Sequence, residues 1–299
     1  MATYCTKGDR FEKRTISPMA LKNSIGTATG RGLSPGLWGS CPVQELKNNP
    51  QSGHFFFDDF IDGITIAANT NTAAASALGT TGSWTGCTAA TAGSTVSTLA
   101  TNYQGAVVLS STTDNEDAII CYPKGGHVAG MYKFSSDTRL WMEARIQVNS
   151  IADTIAQLFV GFAEEGLVAT TTLLAINEAG IADKDYVAFY RAYADGDKLD
   201  AVWNTAFGGS SPVTAQADAA TLVATTWTKV GMYCDGTTVW FYQNGTVIGK
   251  DLIADTDFPD GEEMAFYAAL MCGAAGSDAT MTLDWVALAQ AYSLVDPIW

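Results

Sequence analysis

"WTKVGMYCDGTTVWFYQNGTVIGK", residues 227–250, decides how the chain is read. Three apolar runs are separated by Asp235-Gly236 and by Asn244-Gly245. A two-residue hairpin turn needs positive φ at its centre, and Asp-Gly and Asn-Gly supply it at little steric cost. The stretch therefore reads as three antiparallel strands joined by two hairpins. Successive side chains in a strand point to opposite faces, so Trp240 and Tyr242 share one face and Val239 and Phe241 the other.

Neighbouring text has the same grammar. In "RLWMEARIQVN" (139–149), Leu140, Met142, Ala144, Ile146 and Val148 share one parity, with Arg139, Glu143, Arg145 and Gln147 on the other. That alternation predicts a half-buried antiparallel strand. "DYVAFYRAYADGDKLDAVWN" (185–204) holds a further hairpin signal, Asp195-Gly196. Apolar runs at 105–113, 115–123, 154–164, 263–273 and 279–294 bring the count to roughly a dozen strands at short spacing. Such spacing predicts an all-β sandwich rather than alternating α and β. Helix is expected only in short pieces, around 173–184. Composition agrees, since hydrophobic residues make up 47% and charged residues only 16% of 299 positions.

Residues 1–50 differ. Pro and Gly punctuate them, and no period of 2 or 3.6 persists. Yet they contain Phe11, Ile16, Met19, Leu21, Leu37, Trp38 and Val43, apolar groups that a disordered tail lacks. We read 1–50 as an extended arm that packs on its own body or on a partner, and 51–299 as the sandwich. The charge splits at the same place: +4 over residues 1–50 and −19 over the rest, within a total of −15. An acidic body repels nucleic acid and anionic membranes, so neither is an expected partner. No apolar run suits a signal peptide or a membrane span, which predicts synthesis in a cytoplasm.

The join is "SGHFFFDDFIDG" (52–63). Phe55, Phe57 and Asp59 fall on one face and His54, Phe56, Asp58 and Phe60 on the other, which separates the adjacent aspartates. The stretch reads as the first strand, its aspartates as turn-formers and strand-end caps.

A search for chemistry finds little. Sugar-cleaving sandwich enzymes need two carboxylates about 5–10 Å apart, hence acids two residues apart on one strand face. Glu143 stands alone on its strand and reads as surface, as do Glu164-Glu165 and Glu262-Glu263 beside turns. His54 and His127 are isolated, and no G-x-S-x-G segment raises the odds of a triad. The acidic stretches 195–200 and 255–263 read as turns rather than calcium loops. Six scattered cysteines form no CxxC pair, so reduced thiols are expected. No catalytic residue, metal site or cofactor is therefore expected. Trp240 and Tyr242 remain candidates for stacking on a glycan, against the ordinary role of aromatics in a sandwich core.

In order along the chain, "FFFDDF", "LWMEARIQV", "LFVGFAE", "DYVAFYR", the 227–250 hairpins and a final "TLDWVALAQ" resemble the concanavalin A-like lectin and glucanase jelly roll. The resemblance covers roughly 54–294 and implies that first and last strands lie side by side. It says little of activity, since that fold hosts lectins, hydrolases and inert modules. With "TTDNEDAII" ahead of its long strand, the chain also resembles virion proteins of tailed bacteriophages. That resemblance implies a non-enzymatic capsid decoration or cement protein on the virion surface. Its partners would be the major capsid protein and neighbouring copies of itself, as in a trimer. The arm would contact them through Lys7, Arg10, Lys13 and Arg14 as charges and Phe11, Leu37 and Trp38 as apolar anchors. A lectin-like role on a tail or fibre is the alternative, and a polysaccharide-degrading enzyme stands behind it.

Overall fold

The structure, a computed structural model, describes residues 30–62, 79–81, 83–88, 95–98, 105–111, 117–124, 129–165, 173–174, 180–206, 213–255, 258–272 and 278–292. Two short helices open it, α1 (Pro35–Trp38) and α2 (Val43–Asn48). The strands described are β1 (Gly53–Asp58), β2 (Gly79–Thr81), β3 (Trp84–Thr88), β4 (Thr95–Thr98), β5 (Val107–Ser111) and β6 (Asp117–Tyr122). Next come β7 (Tyr132–Lys133), β8 (Arg139–Val148), β9 (Ala156–Ala163), β10 (Tyr186–Arg191), β11 (Lys198–Asn204) and β12 (Val213–Thr221). The set ends with β13 (Thr228–Cys234), β14 (Thr238–Gln243), β15 (Thr246–Leu252), β16 (Glu263–Cys272) and β17 (Ala279–Ala291).

They form two antiparallel sheets. Sheet A runs β15-β14-β13-β8-β17-β5-β4, with β1 also paired to β17; sheet B runs β12-β11-β10-β9-β16-β6-β3-β2, with β7 on β16. The hairpins stand where the turn residues put them. Asn244 and Gly245 both have positive φ (50° and 76°), as the β14–β15 turn requires. Gly196 and Gly236 serve the β10–β11 and β13–β14 turns in the same way. First and last strands are neighbours, with Phe55 opposite Ala289 and Phe57 opposite Ala287.

One core fills the space between the sheets. Leu140, Met142, Ala144, Ile146 and Val148 all enter it, as their parity predicts, against Phe162, Phe189, Phe241 and Phe266. The opposite parity behaves otherwise. Trp141 and Glu143 on β8 are buried too, at 0% and 1% exposure. The half-exposed strand expected from alternation is thus covered on both faces at its centre, because residues 31–49 lie across it. Sheet B is likewise covered outside, where Ile119, Phe159, Tyr186 and Tyr267 pack with Leu173, Leu174 and Ile181. The helix expected around 173–184 is absent among the described residues there. Leu174 and Ile181 instead make an antiparallel bridge, their side chains drawn onto the apolar sheet.

Candidate functional site

The outer face of sheet A gathers most of the buried charge. Strand registers set rows across it: Phe55–Ala289–Trp141–Tyr233–Trp240, then Phe57–Ala287–Glu143–Gly231–Tyr242, then Trp285–Arg145–Lys229. The third row exists because of a bulge. β17 gains a residue between Leu283 and Trp285, so Asp284 and Trp285 both serve the outer face instead of alternating.

Ala287, Ala289 and Gly231 leave a shallow floor among these large side chains, and the strap, residues 31–49, fills it. Leu37, Trp38 and Leu46 are buried at 1%, 2% and 4% against Trp141, Tyr242 and Trp285. The fit depends on close backbone approach: a Cβ added at Gly231 would stand 2.6 Å from Leu37 Cδ2, and one at Gly36 would stand 2.4 Å from the Gly245 carbonyl oxygen. Val43 through Asn48 can form α2 with Pro42 at its N-cap, and Asn49 ends it by donating to Glu45.

Polar groups of the sheet hold the strap's backbone. One Glu143 oxygen accepts from the Ser34 amide and from Trp38 Nε1, both at 2.9 Å. Lys229 Nζ donates to the Gly32 carbonyl at 3.0 Å. Lys229 lies diagonal to Glu143 across β13 and β8, a separation that long side chains span. Trp285 Nε1 donates to the Arg31 carbonyl. Asp284, 4% exposed, accepts from Arg31 Nε at 3.0 Å and pairs with both Arg31 (2.8 Å) and Arg145 (2.5 Å). Arg145 in turn stacks over Trp227, 4.5 Å from the ring centre. Two carboxylates and three cations are thus arranged around one strap.

Burial pushes the Glu143 carboxyl above its ordinary range, while donation from Ser34 and Trp38 and the charge of Lys229 pull it back. Burial lowers Lys229, opposed by Glu143. Burial outweighs the opposing charge at both groups, as desolvation commonly does for charges taken out of water. A raised carboxyl can serve as a general acid, but only where substrate reaches it. Here Glu143 and Asp284 are buried; one Glu143 oxygen is taken by the strap, and Asp284 is shared between Arg31 of the strap and Arg145 of the sheet.

Beside the strap runs a stack of rings. Trp141 and Tyr233 stack at 5.2 Å, and Tyr233 and Trp240 at 5.5 Å. Trp141 is buried, whereas Tyr233 and Trp240 are half-buried. On the inner side of β1, His54 Nε2 stands 3.0 Å from the Tyr122 hydroxyl, and burial holds its imidazole below the ordinary range. Asp58 caps the strand end, accepting from the Phe60 amide and Trp84 Nε1 at 2.7 Å each.

Sequence reading fares unevenly here. Asp58 acts as the cap expected of it, and Asp195 accepts within its own turn, from the Ala192 amide. Among the described residues no group of three or more His, Cys, Asp or Glu is placed to hold a metal ion. Cys121 and Cys234 are buried free thiols pushed up to about 12 by that burial. Glu143 is a correction: it reads as surface by parity but lies under the strap. Leu37 and Trp38, expected to anchor the arm to a partner, anchor it to this chain's own sheet. Tyr242 is 8% exposed beneath the same strap and offers no face to a glycan, which leaves Trp240 of that pair. Lys7, Arg10, Phe11, Lys13, Arg14 and His127 lie outside the described residues. Asp284 was not singled out, although the break from alternation between Leu283 and Val286 marks its bulge.

No family model matches the chain, and no curated protein does. Among solved structures it is similar to the metal-free carbohydrate recognition domain of Emp46p, at 12% identity over 69% of this chain and 87% of that one, TM-score 0.48. It is also similar to a mixed-linkage glucan GH16 protein of Bacteroides ovatus, at 13% identity over 78% and 99%, TM-score 0.48. A protein of unknown function from Shewanella oneidensis is matched at 14% identity over 91% and 100%, TM-score 0.49. At these identities such likenesses say nothing of activity. The strand order assigns the fold: two antiparallel sheets face to face, with first and last strands adjacent, make a concanavalin A-like jelly-roll sandwich.

Proposed function

We propose that the chain is a non-enzymatic structural protein of a tailed-bacteriophage virion, a capsid decoration or cement protein that presents its sandwich outward. The observation that carries this reading is the clamped strap. The outer face of sheet A is closed by residues 31–49, and the buried charges beneath hold those residues in place. Residues 1–29 precede this clamp in the chain. That segment carries five basic and two acidic residues, among them Lys7, Arg10, Lys13 and Arg14. It is suited to reach an acidic surface on the major capsid protein or on a neighbouring copy. The boundary for a test is therefore residue 30, not 50, since removing the strap would uncover Trp141 and Trp285. We expect a chain lacking 1–29 to fold and to lose co-sedimentation with undecorated capsids. Full binding by that truncation, or absence of the protein from purified virions by mass spectrometry, refutes the reading.

The Trp141–Tyr233–Trp240 stack supports a second reading, a lectin-like module that takes a sugar ring on the open face of Trp240. Glycan-array binding that Trp240→Ala abolishes would favour it over the first.

A further inference from the structure

We propose that the open face of Trp240 takes an anionic saccharide, a sugar bearing a carboxylate, sulfate or phosphate, and that Lys250 meets its charge. The inference rests on the lectin-like reading above and adds the class of ligand. Its ground is the order of one row on the outer face of sheet A. Trp141, Tyr233 and Trp240 are register partners on β8, β13 and β14, and β15 places Lys250 directly opposite Trp240. Opposite partners share a sheet face, with Cβ atoms about 4.5–5.5 Å apart. The ring centres step by 5.2 and 5.5 Å with planes within 22° of parallel, close to the spacing of the strands themselves. Each ring therefore stands beside the last along the row. One face of Trp240 is taken by Tyr233. The other looks along the row to β15, where the next side chain is a lysine and not a ring.

Lys250 is exposed and, among the described residues, in no ion pair. The cations seated over rings among those residues are Lys47, over Phe55, and Arg145, over Trp227, so Lys250 leaves the Trp240 face free. Nearby acids are committed elsewhere. Asp251 accepts from Trp203 Nε1 of sheet B at 2.7 Å, and Asp235 accepts from the Thr237 and Thr238 amides of its own turn at 2.9 Å each. Leu252, 53% exposed and opposite Thr238, gives the site an apolar rim on the same face. A neutral sugar would use the indole face and leave the ammonium idle. A charged one uses both, since an ammonium on a flexible stem can follow a substituent of the stacked ring. Strand addition by a second copy at β15 is opposed by β12, which lies against that strand with Gln216 packed at Gly249.

The test is a glycan array that carries uronic-acid, sulfated and phosphorylated chains beside their neutral counterparts, probed with the full-length protein. Binding confined to charged chains and abolished by Trp240→Ala supports the proposal, and the charged group shared by the hits names the anion. Lys250→Gln should weaken that binding about tenfold or more, the loss of one hydrogen bond to a charged group. Lys250→Arg should retain it, and added salt should weaken it. Equal binding of neutral and charged chains, or charged binding that Lys250→Gln leaves intact, overturns the proposal while the lectin-like reading stands. Absence of binding to every chain overturns both. A dimer in sedimentation that Trp240→Ala dissociates also overturns it, by giving the face to a second copy.

Discussion

Replacing Glu143 separates charge from hydrogen bonding in the clamp. A single carboxylate oxygen accepts from both the Ser34 amide and Trp38 Nε1. Glu143→Gln can place its carbonyl oxygen there and keep both bonds while losing the charge that faces Lys229. Glu143→Ala loses everything. Two buried donors are then unpaired, each costing roughly 1–3 kcal/mol, and Lys229 loses the nearby negative charge that favours its protonated form. Removing one partner of a buried pair costs about 3–5 kcal/mol in comparable cases. We expect Glu143→Ala to lose about that much and Glu143→Gln about 1–2 kcal/mol, the scale of one net hydrogen bond. The glutamine cost is smaller because the raised Glu143 carboxyl means that its charge is itself unfavourably placed. A folded carboxyl raised above 4.5 binds its proton more tightly than the unfolded chain does. Its contribution is therefore full below pH 4.5 and declines as pH rises through the folded value, and Glu143→Gln should remove that decline. Urea unfolding followed by tryptophan fluorescence reads both, since Trp38, Trp141 and Trp285 surround the site. A loss under about 1 kcal/mol for alanine, or equal losses for both variants, refutes the clamp.

Gly231→Val forces a side chain where Leu37 Cδ2 leaves 2.6 Å for a Cβ, and should cost about 1–3 kcal/mol or more as an overpacked site. Released strap would show as faster trypsin cleavage after Arg31 and Lys47, while unchanged cleavage argues that the strap adjusts freely. His54 is held below 6.5 by burial, so the unfolded chain takes up its proton first. Stability should hold above about pH 6.5 and fall as pH drops toward the folded value, and His54→Gln should flatten that segment of a pH series. A profile identical in the two proteins would place His54 in contact with water.

How far the chain could be read depended on the range of each interaction. Hairpins were legible because Asn244-Gly245 and Asp195-Gly196 encode positive φ within two residues, and no distant partner is needed. The core face of β8 was legible because alternation depends only on the pleat. Parity, however, says which residues share a face and not what lies on it. Arg139, Glu143, Arg145 and Gln147 were rightly grouped, but the cover over Glu143 comes from residues 31–49, about a hundred positions away. The missed site had faint local marks: a tryptophan beside the glutamate's face, a glycine at 231, and the broken alternation at Asp284-Trp285.

The sequence by itself determined the longer apolar strands, their hairpin turns, the first and last strands' apolar faces and the change in charge near residue 50. These follow from steric and hydrophobic preferences that act over a few residues. Only the tertiary structure decided that 31–49 belong with the body and that Glu143 is buried. Burial of a charge is settled by whether distant groups arrive to pair with it, and here Ser34, Trp38 and Lys229 arrive together.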